Sequence, residues 1–433
     1  MPVEKYEPLK KVFYRATSGG RELVAEQLRV RRSSPAAFTW PYEVGKHGLF
    51  YVHTRGLAER VERVWRQEVQ IAALWQKLPV TAREHYFHEL VVDEIKATND
   101  IENISSTRKE VAAAVEAERS MGKASEGAPV RRFREMVRQY LALPGEFLGR
   151  DDLPPLGFPS NLSEIRSLYD SLVGEEVDKA DVPDGELFRT GDVSLNDGVR
   201  ELHAGARGES AIRARLEVML DSVHESRGVQ LFAAFVEHFM FEHTHPFYDG
   251  NGRMGRFLLS IRLSRLLSTP TALSLSAEIF RQKRRYYDAF TTAEDPMNYG
   301  ELTFFVEDMA AMVNAAQARL LSSLEERSDR LNRLEQSLRA LESEGAASEL
   351  ALSIAFLLGQ VALFGPRAGL SLDEVAGVVR VSKQTARKGI AELESMGYVE
   401  FLSRRPLVTA LTAPGLTWLG LVGGRGPKTL LLR

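Results

Sequence analysis

The stretch His245-Pro246-Phe247-Tyr248-Asp249-Gly250-Asn251-Gly252-Arg253-Met254-Gly255-Arg256 constrains this chain more than any other. A helix-period pattern leads into it, with Phe232, Phe235 and Phe239 on a face different from Glu237, His238 and Glu242. A second helical pattern follows, carried by Phe257, Leu258, Ile261 and Leu266. Pro246 and the Gly-Asn-Gly triplet forbid a continuous helix, so the stretch is predicted to be a tight loop ending at the N-terminus of the second helix.

Each residue type there has a chemical use. A helix start preceded by small residues presents free backbone N–H groups and attracts anions. Arg253 and Arg256 fall in the first turn, where cations oppose the macrodipole, so an anionic partner is expected to compensate them. Asp249 is a hard oxygen ligand beside that anion site and suits Mg²⁺ held mainly by phosphates. His245 supplies a base at neutral pH. A loop of this composition between helices also occurs for purely structural reasons; here twelve consecutive residues hold every part in order.

The stretch resembles the signature of the Fic family, His-x-Phe-x-Asp/Glu-Gly-Asn-Gly-Arg-x-x-Arg, and matches every fixed position. The resemblance implies transfer of AMP from ATP to a hydroxyl side chain of a target protein. It implies that His245 deprotonates the hydroxyl and that Asp249 holds Mg²⁺ between the α- and β-phosphates. Gly250, Asn251 and Gly252 would form the anion cradle, Phe247 would anchor the loop, and Arg253 and Arg256 would hold the β- and γ-phosphates. A phosphotransferase branch of the family has Lys at the position of Gly252, so the complete Gly-Asn-Gly-Arg favours nucleotidyl transfer.

Thr98-Asn99-Asp100-Ile101-Glu102-Asn103 admits two readings. Asn99 with Glu102 three residues later is a capping-box-like pair, and Thr107 with Glu110 repeats the spacing. By resemblance, Thr98-x-x-x-Glu102-Asn103 fits the family's inhibitory motif, Ser/Thr-x-x-x-Glu-Gly/Asn, in which the glutamate pairs with the second signature arginine, here Arg256. A carboxylate there would occupy the donor fork that a phosphate needs.

Leu187 to Val193 and Val199 to His203 flank Asn196-Asp197-Gly198, a hairpin signal. The resemblance makes this hairpin the flap, which binds the target segment as an added strand through main-chain hydrogen bonds. His238 and His243 show no His-Glu-x-x-His spacing and are read as packing or surface residues rather than metal ligands. After the signature, Tyr286-Tyr287 lies in a basic helical segment; aromatics there usually pack in a core, and the resemblance places Tyr286 in the adenine pocket. Many relatives carry Asn a few residues later, where this chain has Thr291-Thr292-Ala293-Glu294.

Leucines at 320, 324, 331, 334, 338 and 341 nearly complete three heptads, with Arg327 as the break, which suits either a connecting helix or a homodimer contact. The last segment reads as helix (Leu350–Phe364), helix (Leu372–Val379), turn, helix (Lys383–Met396) and a hairpin, and resembles a winged helix-turn-helix. Lys383, Gln384, Arg387 and Lys388 would face a DNA groove, with Arg404 and Arg405 at the wing tip. From Glu349 onward ten Lys/Arg stand against six Asp/Glu, which permits DNA binding without requiring it.

The expected fold is therefore mainly α: a Fic helical core with a β-hairpin flap, followed by a small α+β winged-helix domain. The expected organisation is an N-terminal segment (1–56), a catalytic domain (57–313) with the inhibitory motif at 98–103 and the flap near 189–203, a linker helix (314–346) and the winged helix (347–433). The net charge of −3 opposes wholesale coating of nucleic acid, and the lack of cysteine rules out disulfides and thiolate metal sites, which suits a cytoplasmic protein. Met1 to Lys11 is too charged for a secretory signal, and the longest apolar run, Leu350 to Phe364, is too short to span a bilayer. The expected activity is autoinhibited protein adenylylation with Mg²⁺ and ATP. The alternatives are removal of AMP, use of another nucleotide, or a DNA-binding regulator with a Fic-type sensor.

Overall fold

The computed structural model describes residues 6–120, 132–143, 156–196, 201–225, 228–366 and 369–421. It divides into two compact units. The first comprises Met1–Val69 and Asp93–Leu320; the second comprises Gln70–Val92 and Leu321–Arg433. Helices dominate both. No helix among the described residues is long and apolar enough to cross a membrane.

The first unit begins with α1 (Leu9–Arg15) and α2 (Gly20–Arg32), then the antiparallel hairpin β1 (Ala37–Val44) and β2 (His47–Val52). In β1 Trp40, Tyr42 and Val44 are buried while Pro41 and Glu43 face outward, the period-two pattern of a strand with one face on a core. Gly45, at φ 61, lies in the connecting turn, where a side chain would be strained. The hairpin packs directly against the helix that leads into the signature. Trp40 Nε1 donates to Ser222 Oγ at 2.7 Å, and the Tyr42 hydroxyl lies 2.9 Å from both His243 Nδ1 and Thr244 Oγ1. The hairpin thus braces the two residues just before His245.

Next come α3 (Arg55–Lys77) and α4 (Val80–Ile101), each divided between the two units, then α5 (Arg108–Ser120), α6 (Arg134–Leu141) and α7 (Leu162–Val173). A hairpin does precede the signature, but its first strand lies later than the expected Leu187 to Val193, which forms no strand: β3 (Ser194–Asn196) pairs antiparallel with β4 (Glu201–Ala204), and Asp197 and Gly198 lie outside the described residues. There follow α8 (Gly208–Glu225), α9 (Gln230–Thr244), α10 (Asn251–Leu266), α11 (Thr269–Ala272), α12 (Leu275–Arg281), α13 (Lys283–Glu294) and α14 (Thr303–Ser343). Helix α9 is buried nearly all round, from Leu231 through Phe241, as a central helix must be. Its one deep carboxylate on this stretch, Glu237, is matched by Arg262 at 2.8 Å.

In the second unit, α15 (Glu349–Phe364), α16 (Leu372–Val379) and α17 (Lys383–Ser395) accompany a three-stranded antiparallel sheet. Its strands are β5 (Gly369–Ser371), β6 (Val399–Arg404) and β7 (Leu407–Leu411), in the order β5-β7-β6, and α18 (Ala413–Trp418) follows. The helices and hairpin stand where the sequence put them; β5 was not anticipated. The start of α16 carries a capping box between Ser371 and Glu374, and Ser382 caps α17. On α14, Leu324, Leu331 and Leu334 are buried. Arg327, the break in the leucine spacing, is itself largely buried: it pairs with Glu89 at 2.8 Å and lies over the Tyr86 ring at 4.5 Å.

Candidate active site

The twelve-residue stretch forms the loop expected of it, between α9 and α10. His245 closes α9 in the left-handed region (φ 51, ψ 63), and Gly250 opens α10 at φ 79. Only glycine fits that second position: a Cβ would lie 3.0 Å from Val173 Cγ2 and 3.3 Å from Tyr169 Cε2. Phe247 is fully buried and stacks on Tyr169 with ring centroids 3.6 Å apart. The Asn251 side chain closes the turn on itself, accepting from Phe247 N at 2.9 Å and donating to Phe247 O at 2.8 Å. The loop is therefore held from within by Asn251 and from outside by Tyr169, and this fixes the start of α10 with its free N–H groups.

Asp249 is the exposed carboxylate of the loop, its side chain 53% accessible and 3.8 Å from Arg253 Nη2. Its backbone oxygen accepts from the Tyr169 hydroxyl at 3.0 Å, while the carboxylate stays accessible. One accessible carboxylate beside a helix N-terminus fits Mg²⁺ that draws most of its ligands from phosphates and water. Among the described residues no cluster of three or more potential metal ligands occurs.

Both signature arginines are buried, at 2% exposure, and both are paired. Arg256 Nη2 donates to Glu102 Oε1 at 2.7 Å, while its Nε donates to Thr98 Oγ1 at 2.8 Å. Burial opposes the Arg256 charge, but Glu102, Tyr286 and Glu242 outweigh it and hold the guanidinium above its ordinary pKa. Thr98 and Glu102 sit at the end of α4, so Asn99 lies within the last turn of that helix and does not cap a new one. Asn103 takes the left-handed position that follows (φ 58) and accepts from Lys283 at 3.1 Å. The capping box is at Thr107 and Glu110, the start of α5: Glu110 accepts from Thr107 N at 2.7 Å and Thr107 Oγ1 from Glu110 N at 3.2 Å.

The Glu102 carboxylate also covers the cradle. A Cβ on Gly252 would collide with Glu102 Oε1 and come within 2.8 Å of Glu102 Cδ. Glycine at 252 thus gives room for a negative group at the start of α10, and Glu102 fills that room.

Arg253 has a partner that the sequence did not disclose. Its Nη1 donates to Glu176 Oε2 at 2.7 Å. Burial pushes the Glu176 carboxyl up, and Arg253 pulls it back. Arg253, Asp249 and Glu176 line a cavity of about 640 Å³ together with Arg132, Phe133 and Ser171.

Three further side chains stand behind the loop. Glu242, on α9, packs so closely on α10 that a Cβ at Gly255 would collide with its Oε1. Its carboxyl is pushed up to about 8, by burial first and by Glu102 as well, against the pull of Arg256. His238 is buried and pushed down to about 3, chiefly by burial. Its ring lies 3.2 Å from Gly255 O and 2.8 Å from the Tyr286 hydroxyl, so His238 is a packing residue, as is His243 against Tyr42. Tyr286 is 2% exposed, whereas its neighbour Tyr287 is 42% exposed. The accessible ring of the pair is Tyr287.

Within the second unit, Gln384, Arg387 and Lys388 are exposed on α17, opposite the buried Ala386, Gly389, Ile390 and Leu393. Lys383 is paired with Asp373 at 2.8 Å. Arg404 and Arg405 are exposed at the β6–β7 turn.

Several solved structures resemble parts of this chain distantly. A Fic family protein from Desulfovibrio desulfuricans G20 is 19% identical, with 84% of this chain and 98% of that one covered and a TM-score of 0.49. A Fic domain containing signaling protein from Bacteroides thetaiotaomicron is 16% identical, covering 60% and 96%, with a TM-score of 0.43. A fragment of Fic-1 from C. elegans, carrying one substitution of glutamate by glycine, is 17% identical, covering 72% and 80%, with a TM-score of 0.42. The sequence from residue 159 to 263 matches the Fic/DOC family. That span holds α7, the β3–β4 hairpin, α8, α9, the signature loop and most of α10, so the segment bearing the candidate site is the part of the chain that is similar to the Fic/DOC family.

Proposed function

We propose that the chain is a protein adenylyltransferase held in check by Glu102. The observation that carries this reading is the placement of one carboxylate on both Arg256 and the space over Gly252, at the start of a helix built to receive an anion. In the reaction, a Ser, Thr or Tyr hydroxyl oxygen of the target attacks the α-phosphorus of ATP. The new O–P bond forms as the bond from the α-phosphorus to the α–β bridging oxygen breaks, and pyrophosphate leaves. The hydroxyl proton passes to the His245 imidazole. The N–H groups of the Gly250–Gly252 turn, with Arg253 and Arg256, neutralise charge on the phosphates. Asp249 would hold Mg²⁺, which when bound supplies further charge neutralisation. The β3–β4 hairpin receives the target as an added strand. We read the base pocket as lying on the α13 side, with Tyr286 as its buried support and Tyr287 as its accessible ring.

Glu102 inhibits because Arg256 cannot serve a carboxylate and a phosphate with the same N–H groups. The test is label transfer from α-³²P-ATP with Mg²⁺ to proteins of a cell lysate, comparing wild type, Glu102→Gly and Glu102→Gly/His245→Ala. Label in the Glu102→Gly lane alone supports both the chemistry and its brake. Label of equal strength in wild type and Glu102→Gly removes the brake and keeps the chemistry; no label in any lane removes the transferase reading.

The second unit supports a separate reading as a winged helix-turn-helix, since the exposed Gln384, Arg387 and Lys388 share one face of α17. A DNA mobility shift that weakens with salt and with Arg387→Ala supports it, and no shift at low salt counts against it.

A further inference from the structure

Arg189 is fully buried, and among the described residues no carboxylate forms an ion pair with it. Its donors go to three carbonyl groups instead: Nε to His245 O at 2.8 Å, Nη2 to Ala206 O at 2.8 Å, and Nη1 to Gly191 O. Burial pushes this guanidinium below its ordinary pKa, with Tyr248 and Asp192 opposing. A buried cation whose hydrogen bonds all go to carbonyls is costly, and an apolar side chain would fill the space without that cost. What the three carbonyls have in common explains its presence. Gly191 precedes β3, Ala206 follows β4, and His245 opens the signature loop.

The backbone around Arg189 closes the same junction. Ala206 N donates to Thr244 O at 2.9 Å, Arg189 N to Pro246 O at 3.2 Å and Gly205 N to Val193 O at 3.1 Å. The Tyr248 hydroxyl accepts from Gly191 N at 2.8 Å and donates to Asp184 at 2.9 Å. No space remains: a Cβ on Gly205 would collide with Arg189 Nη2 and lie 3.0 Å from His245 Cβ. Both legs of the hairpin and the residue carrying the base therefore hang on one guanidinium.

We infer that Arg189 is a positioning residue that sets the register between a target strand added to the β3–β4 hairpin and the His245 base. The inference rests on the transferase reading above. Reacting atoms must lie about 3–3.5 Å apart, and a misplacement of about 1 Å costs on the order of 100-fold. A hairpin that shifts relative to His245 would lose the target hydroxyl, whereas water, which needs no strand pairing, would still reach the α-phosphorus.

The experiment adds Arg189→Met, Arg189→Lys or Gly205→Ala to the full-length Glu102→Gly protein and supplies α-³²P-ATP, Mg²⁺ and lysate. Two products are quantified in each reaction: label on protein, and free AMP from attack by water. Mg·ATP affinity, measured by calorimetry, checks that each variant keeps its fold. The ratio of protein label to free AMP is expected to fall about 10- to 100-fold in Arg189→Met and Gly205→Ala, with ATP affinity within about threefold of the parent. Arg189→Lys should fall between, because one ammonium cannot span three carbonyls. A ratio that stays constant, whether both products persist or both decline, overturns the inference and leaves Arg189 a structural residue. Loss of ATP affinity alongside transfer overturns it as well. A Glu102→Gly parent that labels no protein removes the transferase reading, and the inference falls with it.

Discussion

Arg253 and Arg256 occupy one turn of α10, are equally buried, and each donates to a glutamate at 2.7 Å, yet their two pairs differ in what the carboxylate covers. Glu102 reaches Arg256 from the end of α4 and also fills the space above Gly252, where an anion would sit. Glu176 reaches Arg253 from the segment after α7, beside the cavity that Asp249 lines. The Glu176 side chain is also the more enclosed, at 14% exposure against 31% for Glu102. Two ion pairs of the same length thus stand in different settings. On the proposed reading, one carboxylate blocks a seat for phosphate, and the other is the closer counter-charge to a buried guanidinium.

If that contrast is right, substitutions on the two sides should separate. The largest effect belongs to neither pair: adding His245→Ala to Glu102→Gly should lower label transfer by about 100-fold or more, the usual scale for losing a general base. Transfer that survives would break the comparison at its root, since neither carboxylate would then guard a working site. Next in size, Glu102→Gly alone should raise transfer by about 10- to 100-fold, the equivalent of a charge-assisted hydrogen bond worth about 1.5–3 kcal/mol. Smaller again, Glu176→Gln should lower thermal stability by about 1–3 kcal/mol through loss of the counter-charge to Arg253. It should tighten Mg·ATP binding far less than Glu102→Gly does, because Glu176 does not cover Gly252. Equal gains from both variants would show that Glu176 is a second brake.

The same contrast marks how far the sequence could be followed. The signature loop was legible because twelve consecutive residues hold its chemistry, and its one strained backbone position in the cradle is occupied by a glycine, Gly250. The Glu102–Arg256 pair spans 154 residues, and family resemblance, not local pattern, pointed to it. Local pattern in fact misled at Asn99: the spacing to Glu102 imitates a cap, but α4 has enough buried face to run through to Ile101. The sequence missed Glu176, Arg189 and Tyr42, which meet the site across 77, 56 and 201 residues. An acidic residue in a turn, an arginine before a hairpin and a strand tyrosine carry no local sign of their partners. Strand β5 was missed for a related reason. Its three residues form a strand only by pairing with β7, some forty positions away.

The smallest expected effect is the most discriminating, because it reads Glu102 without any chemistry. Glu242 carries a pKa of about 8 in the fold, against an ordinary 4.5, and Glu102 is one of the two causes that raise it. Between those values the folded protein keeps a proton that the unfolded chain has released, so Glu242 makes stability fall as pH rises through the window and become flat above about 8. Glu94, pushed to about 7 chiefly by burial, adds a slope of the same sign. Thermal melts from pH 5 to 9 should show this decline, and Glu242→Gln should remove part of it. Glu102→Gly removes the charge that raises Glu242 beyond the effect of burial, so the decline should end at a lower pH. Glu176→Gln should leave the end point where it is, since Glu176 is not among the groups that shift Glu242. An end point that moves equally in both variants would mean that the two pairs form a single charge network around α10 rather than a gate and a counter-ion.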